Sequence, residues 1–219
     1  MTVRLVIFDY DQTLVESLEA FRFSLNLART MYGAEPLSRS EFLSMFFSDS
    51  LSNAIPKGVS PEDFWEIFLR AYELSHPLPK LRSEARRALS EIKSRGLLTA
   101  LITGRKCSHS TLGRELRALG LWELFDTIVT GLDWEAYDYV FSKVRGLEMI
   151  LKELEVRPNQ AVMVGDYRAD IVSAKEVGII AVGLATTRYT SLKLIEWGAD
   201  IVIRSLDELI RVLEAEGLL

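Results

Sequence analysis

Three short segments of this chain are dense in chemically capable side chains. They are Asp9-Tyr10-Asp11-Gln12-Thr13-Leu14, Thr103-Gly104-Arg105 and Gly165-Asp166-Tyr167-Arg168-Ala169-Asp170. Together they offer four carboxylates: Asp9, Asp11, Asp166 and Asp170. Four carboxylates at close range cannot all stay ionised without a cation or raised pKa values. Carboxylates, backbone carbonyls and waters suit Mg2+, a hard cation that keeps several waters and binds beside phosphate. The chain has no His/Cys pattern of the kind that holds zinc. A carboxylate can also attack phosphorus to give an acyl phosphate. A second carboxylate two residues on can act as general acid and then as general base. An Asp-x-Asp pair alone is a weak signal, because a solvated turn has the same composition, and Thr103-Gly104 alone is an ordinary turn. The information lies in placement, since each segment follows an apolar, β-rich run.

Those runs cover residues 3–8, 97–102 and 161–164, and they read as buried strands. Further strands are expected over 127–130, 179–183 and 200–203. Helices are expected over 83–94, 111–119, 147–154, 169–177 and 191–197, with a last helix opened by Ser205 and Glu208 and reaching about residue 216. Alternating strands and helices imply a parallel sheet with helices on both faces. Such sheets gather ligands at the carboxyl ends of their strands, so the three loaded segments should meet at one edge. One block breaks the alternation. Residues 15–78 read as helices over 17–32, from the Ser38/Glu41 capping box to 47, and from Ser60-Pro61 to about 75, with no strand. His76-Pro77-Leu78-Pro79 reads as a linker. The organisation expected is an α/β core from residues 1–14 and 79–219, interrupted by a small helical domain over 15–78.

The pattern resembles the haloacid dehalogenase-like hydrolases across the whole chain. Asp9-x-Asp11-x-Thr13 matches the first motif, Thr103 the second, Lys143 the third, and Gly165-Asp166-x-x-x-Asp170 the fourth. The resemblance implies a Rossmann-like core with a C1-type helical cap inserted after the first strand. It implies that Asp9 attacks phosphorus and that Asp11 handles the proton. Thr103 would hydrogen-bond a phosphoryl oxygen, and Thr103, Gly104 and Lys143 would hold the phosphoryl group. Asp166 would bind Mg2+ with a carboxylate oxygen of Asp9 and the backbone carbonyl of Asp11. Asp170 would bind the metal through water or orient the lysine. Lys143 is followed by Val144-Arg145 where many relatives have proline, and Arg145 is the rival cation. Gln12 stands where many members have glycine, and Gly104-Arg105 follow Thr103 where asparagine is common in several branches.

The function implied is Mg2+-dependent hydrolysis of a small phosphorylated metabolite through an aspartyl-phosphate on Asp9. The alternatives are a sugar-phosphate mutase and a non-catalytic phosphate-binding protein on the same fold. The intact set Asp9, Asp11, Thr103 and Asp166 speaks against the last.

Composition sets the outer bounds. The chain has 219 residues, 48% of them hydrophobic and 26% charged, with a formal net charge of -5. That length supports one core plus a small satellite. An acidic balance disfavours nucleic acid or an anionic membrane as a partner. The single cysteine, Cys107, excludes an intrachain disulfide. No apolar run approaches the roughly 18 residues of a membrane span and nothing reads as a signal peptide, so a cytoplasmic monomer or homodimer is expected. Cys107, His76, His109 and the aromatic stretch Trp134, Tyr137, Tyr139 read as packing or surface residues, and Lys57 as a solvated lysine.

Overall fold

The computed structural model describes residues 2–75, 79–134 and 142–219. The chain opens with β1 (Leu5–Asp9) and β2 (Val15–Glu16), followed by α1 (Leu18–Met31), α2 (Arg39–Phe47) and α3 (Pro61–Ser75). It resumes with β3 (Lys80–Leu81), α4 (Ala85–Ser94), β4 (Leu98–Thr103), α5 (His109–Ala118) and β5 (Thr127–Thr130). The last stretch holds α6 (Val144–Glu153), β6 (Ala161–Gly165), α7 (Arg168–Val177), β7 (Ile180–Leu184), α8 (Arg188–Glu196), β8 (Ile201–Ile203) and α9 (Leu209–Ala215). These elements form two compact units, one from residues 1–16 with 80–219 and the other from residues 17–79.

The larger unit is built on a six-stranded parallel sheet in the order β5-β4-β1-β6-β7-β8. Strand side chains alternate between faces, and β1 shows the consequence. Val6 and Phe8 enter one hydrophobic core, while Leu5 and Ile7 enter the other. The first core is closed by Leu89 and Ile92 of α4, Leu112 and Leu116 of α5, and Leu213 of α9. The second is closed by Leu147 and Ile150 of α6, Ile171 of α7 and Leu194 of α8. Both faces of the sheet are therefore covered, as strands apolar on both sides require. Strand order reverses about β1, which has β4 on one side and β6 on the other. Asp9 pairs in register with Ile102, and Phe8 with Val164, so the ends of β1, β4 and β6 lie side by side.

The smaller unit is held by aromatic packing. Phe21 of α1 lies 4.5 Å, centroid to centroid, from Phe68 of α3, and 5.7 Å from Phe46 of α2. Leu25, Ala28, Phe42 and Phe64 are buried around them. The Ser38/Glu41 capping box opens α2.

Several boundaries differ from those expected. The helical unit runs over 17–79 rather than 15–78, because Val15 and Glu16 pair antiparallel with Leu81 and Lys80. Two residues are too few to show a strand period. α6 starts at Val144 rather than 147, where the Lys143 amide finds Ser173 Oγ at 2.9 Å. α8 starts three residues before the expected Ser191, because Thr187 caps it and accepts from the Thr190 amide. Among the described residues no helix is long and apolar enough to cross a membrane.

Candidate active site

Asp9 ends β1 and is buried. Beyond it the chain turns through Gln12, whose φ of 62° is left-handed. Arg82 steadies this turn by donating to the Gln12 carbonyl at 3.1 Å from Nε and 2.6 Å from Nη2. Buried Thr13 then donates to Asp166 Oδ1 at 3.3 Å, tying the first segment to the one after β6. At the end of β6 a Cβ on Gly165 would lie 2.3 Å from Cβ and Cγ of Asp170, so only glycine lets that side chain lie across the strand end.

The ammonium of Lys143 lies between two carboxylates, 2.5 Å from Asp9 Oδ1 and 2.6 Å from Asp170 Oδ1. The second oxygen of Asp170 accepts from the Tyr167 amide at 3.0 Å, inside the first turn of α7. Both Asp170 oxygens are thus engaged, one on the lysine and one on backbone. Arg145, the rival cation, is exposed, as is Lys152. One carboxylate oxygen from each of Asp9, Asp166 and Asp170 lies within 4.8 Å of the others.

This crowding has an electrostatic cost. Burial, opposed by Lys143 and reinforced by Asp170, pushes the Asp9 carboxyl from 3.8 up to about 7. Burial and the nearby Asp9 and Asp170 charges push Asp166 well above the usual carboxylate range. For Lys143, burial works against the charge, but Asp170 and Asp9 outweigh it and hold the amine protonated. Two carboxyls, buried Asp9 and partly buried Asp166, are therefore driven toward the neutral form, and one ammonium does not offset three acids. A divalent cation held by oxygen ligands fits this donor set, because it would let Asp9 and Asp166 ionise together.

Asp11 stands apart from that cluster. Its two oxygens accept from Arg105, Oδ2 from Nε at 2.7 Å and Oδ1 from Nη2 at 2.6 Å. Thr103 ends β4 and its Oγ1 accepts from the Arg105 amide at 3.2 Å, which leaves the hydroxyl proton available to a phosphoryl oxygen. Gly104 follows in a loop fixed against the turn after β5, where the Gly131 amide donates to the Arg105 carbonyl at 2.9 Å.

The three loaded segments thus converge on one sheet edge, with Lys143 among them. Arg105 of the second segment belongs to the same surroundings, with Glu115, Arg82 and Ser173, which the sequence alone does not mark. Of the four, only Arg105 carried a signal, through its place beside Thr103. Cys107 is buried in the first core and Trp134 in the second, while His109 bonds Asp133 at 2.9 Å and Lys57 is exposed. Tyr137, Tyr139 and His76 lie outside the described residues.

Residues 6–184 match the family model of haloacid dehalogenase-like hydrolases. A phosphoglycolate phosphatase of Synechococcus elongatus is 26% identical over 82% of this chain and 82% of its own length. A pyrophosphatase PpaX of Bacillus cereus is 24% identical over 97% of both chains. Among solved structures, a haloacid dehalogenase-like family hydrolase from Streptococcus pneumoniae superposes with a TM-score of 0.76 at 18% identity, covering 96% of this chain and 98% of its own. CbbY from Rhodobacter sphaeroides, in complex with phosphate, gives a TM-score of 0.67 at 22% identity, covering 95% and 96%. These structural likenesses speak to the fold.

Proposed function

The chain belongs to the haloacid dehalogenase-like hydrolases, and on that premise we propose that it is a Mg2+-dependent phosphatase of small phosphorylated metabolites, working through a phosphoryl group carried on Asp9. The observation that carries this reading is the buried Asp9 carboxylate, which ends the central strand with the Lys143 ammonium 2.5 Å away. The relatives named phosphoglycolate phosphatase and pyrophosphatase PpaX support the same class and supply the first two substrates to try.

The chemistry assigned to the residues is a double displacement. Asp9 attacks phosphorus, the ester P–O bond breaks, and Asp11, once one of its oxygens leaves the Arg105 fork and takes up a proton from solvent, gives that proton to the departing oxygen. Water then attacks the phosphorus of the acyl phosphate, Asp11 takes a proton back, and Asp9 is regenerated as inorganic phosphate leaves. Lys143 offsets negative charge on the phosphoryl oxygens from a fixed position, and so needs no reorganisation as the charge develops. Thr103 Oγ1, which accepts from the Arg105 amide through one lone pair, would donate its proton to a phosphoryl oxygen beside Gly104. Asp9, Asp166 and the Asp11 backbone carbonyl would hold Mg2+. Asp170 would reach it through water, since its own oxygens serve Lys143 and Tyr167. When bound, the metal supplies positive charge against the phosphoryl oxygens and lets the acids around Asp9 ionise. The helical unit is read as the cap, with the choice among esters assigned to it.

A phosphate-release screen of phosphorylated metabolites with Mg2+, beginning with phosphoglycolate and pyrophosphate, tests the reading. Release that stops with chelator and returns with Mg2+ is expected. Folded, Mg2+-loaded protein that releases phosphate from no ester, aryl phosphates included, would contradict it.

A further inference from the structure

Arg105 joins residues that are far apart in sequence. Its guanidinium meets both Asp11 oxygens in a fork, at 2.7 and 2.6 Å. Its remaining terminal nitrogen, Nη1, lies 3.1 and 3.2 Å from the two oxygens of Glu115 on α5. Glu115 Oε1 also accepts from Tyr10 Oη at 2.6 Å, and the Tyr10 ring lies under the guanidinium, 4.8 Å from centroid to Cζ. The Arg105 side chain is 11% exposed, Glu115 16% and Asp11 24%. The Arg105 backbone is fixed at both ends, by Thr103 Oγ1 and by the Gly131 amide.

This is more apparatus than a surface ion pair needs. A lone carboxylate can rotate about its side-chain torsions, but a planar fork matches both oxygens at once and sets the plane of the carboxyl group. Glu115 and Tyr10 then keep the fork from turning. We propose that Arg105 is the positioning residue for Asp11, setting the plane of its carboxyl group so that the one oxygen released to carry the proton serves first the leaving-group oxygen and then the attacking water. Glu115 braces Arg105 from the far side and has no contact with substrate in this scheme. The proposal rests on the roles given above to Asp9 and Asp11. Arg105 thus ties the second segment to the first by a side chain, in addition to the β1–β4 pairing that sets Asp9 opposite Ile102.

The test is a double-mutant cycle on an aryl phosphate with Mg2+, using Arg105→Met, Asp11→Asn and the pair together. Arg105→Met should lower kcat by ~10²-fold, the penalty expected for a misplaced reacting group, with KM changed less than about threefold. In the Asp11→Asn background the same change should cost less than about threefold more, because the residue it acts through is already disabled. Arg105→Lys should recover only a small part of the loss, since an ammonium cannot form the fork. Equal losses in both backgrounds, or a raised KM with kcat kept, would overturn the proposal by making Arg105 an independent substrate ligand. Should Arg105→Met fail to fold, Glu115→Gln serves in its place, with a smaller kcat loss that must also vanish in the Asp11→Asn background. An Asp11→Asn protein as fast as the parent would instead remove the reading of the site, and this proposal with it.

Discussion

Lys143 Nζ lies 2.5 Å from Asp9 Oδ1, although 134 residues separate the two in sequence. The same ammonium reaches Asp170 Oδ1 at 2.6 Å, so one cation restrains two buried acids. Replacing Lys143 with alanine should lower kcat by ~10²–10³-fold, the range seen when one fixed donor to a charged transition state is removed. Arg145→Ala and Lys152→Ala, both at exposed positions, should stay within about twofold of the parent. Steady-state rates on an aryl phosphate check this, and equal small effects at all three positions would place the working cation elsewhere.

On the proposed assignment, the acid cluster would make Mg2+ binding depend on pH in a definite sense. In the metal-free protein Asp9 keeps its proton up to about 7, whereas in the unfolded chain it releases it near 3.8. Between these values the folded state binds more protons, so this contribution to stability is full below 3.8 and is lost as pH rises through about 7. Mg2+ needs the ionised carboxylates and must compete with those protons. The rise in melting temperature caused by saturating Mg2+, relative to chelator, should be larger at about pH 8 than at about pH 5.5. An equal or larger rise on the acid side would contradict the assignment.

Gln12 holds a left-handed φ of 62° while Arg82 grips its carbonyl. Side chains other than glycine pay roughly 1–2 kcal/mol in that region, and glycine gives part of this back through the entropy of the unfolded chain. Gln12→Gly should therefore stabilise the protein by up to ~1 kcal/mol, and Gln12→Val should destabilise it. Denaturant midpoints at constant slope measure both.

Gly165 offers a steric test of the same site. A methyl group there would sit 2.3 Å from Asp170 Cβ, forcing away the acid that holds Lys143. Gly165→Ala should cost ~1–3 kcal/mol of stability by overpacking, and it should also reduce turnover. Ala at Gly33, where a Cβ would meet nothing within 4 Å, should leave turnover unchanged although its φ of +70° still carries strain.

The sheet was legible in the sequence because its strands are short apolar runs ending in polar loops, as at Val6-Ile7-Phe8-Asp9. Convergence of Asp9, Thr103 and Asp166 follows from parallel alternation alone. The start of α6 was less legible, because Gly146 weakens the local helical pattern and the capping partner, Ser173, comes from α7. The ribbon of Val15–Glu16 with Lys80–Leu81 exists only as a pairing across 64 residues, as its Lys80–Glu16 ion pair shows. Arg105 was visible as part of Thr-Gly-Arg, yet its partners are 94 residues back and 10 residues on. Nothing in local spacing distinguishes Glu115 from a solvated helix acid, since its role depends on how α5 packs.

In the proposed mechanism Asp9 itself carries the phosphoryl group, and the adduct can be trapped. The protein should be mixed with an aryl phosphate and Mg2+, quenched in acid within one turnover, and mapped by peptide mass. One phosphoryl group is expected on the peptide containing Asp9, lost on treatment with hydroxylamine and absent from Asp9→Asn. Phosphorylation at another residue, or turnover by Asp9→Asn within about tenfold of the parent, would contradict it.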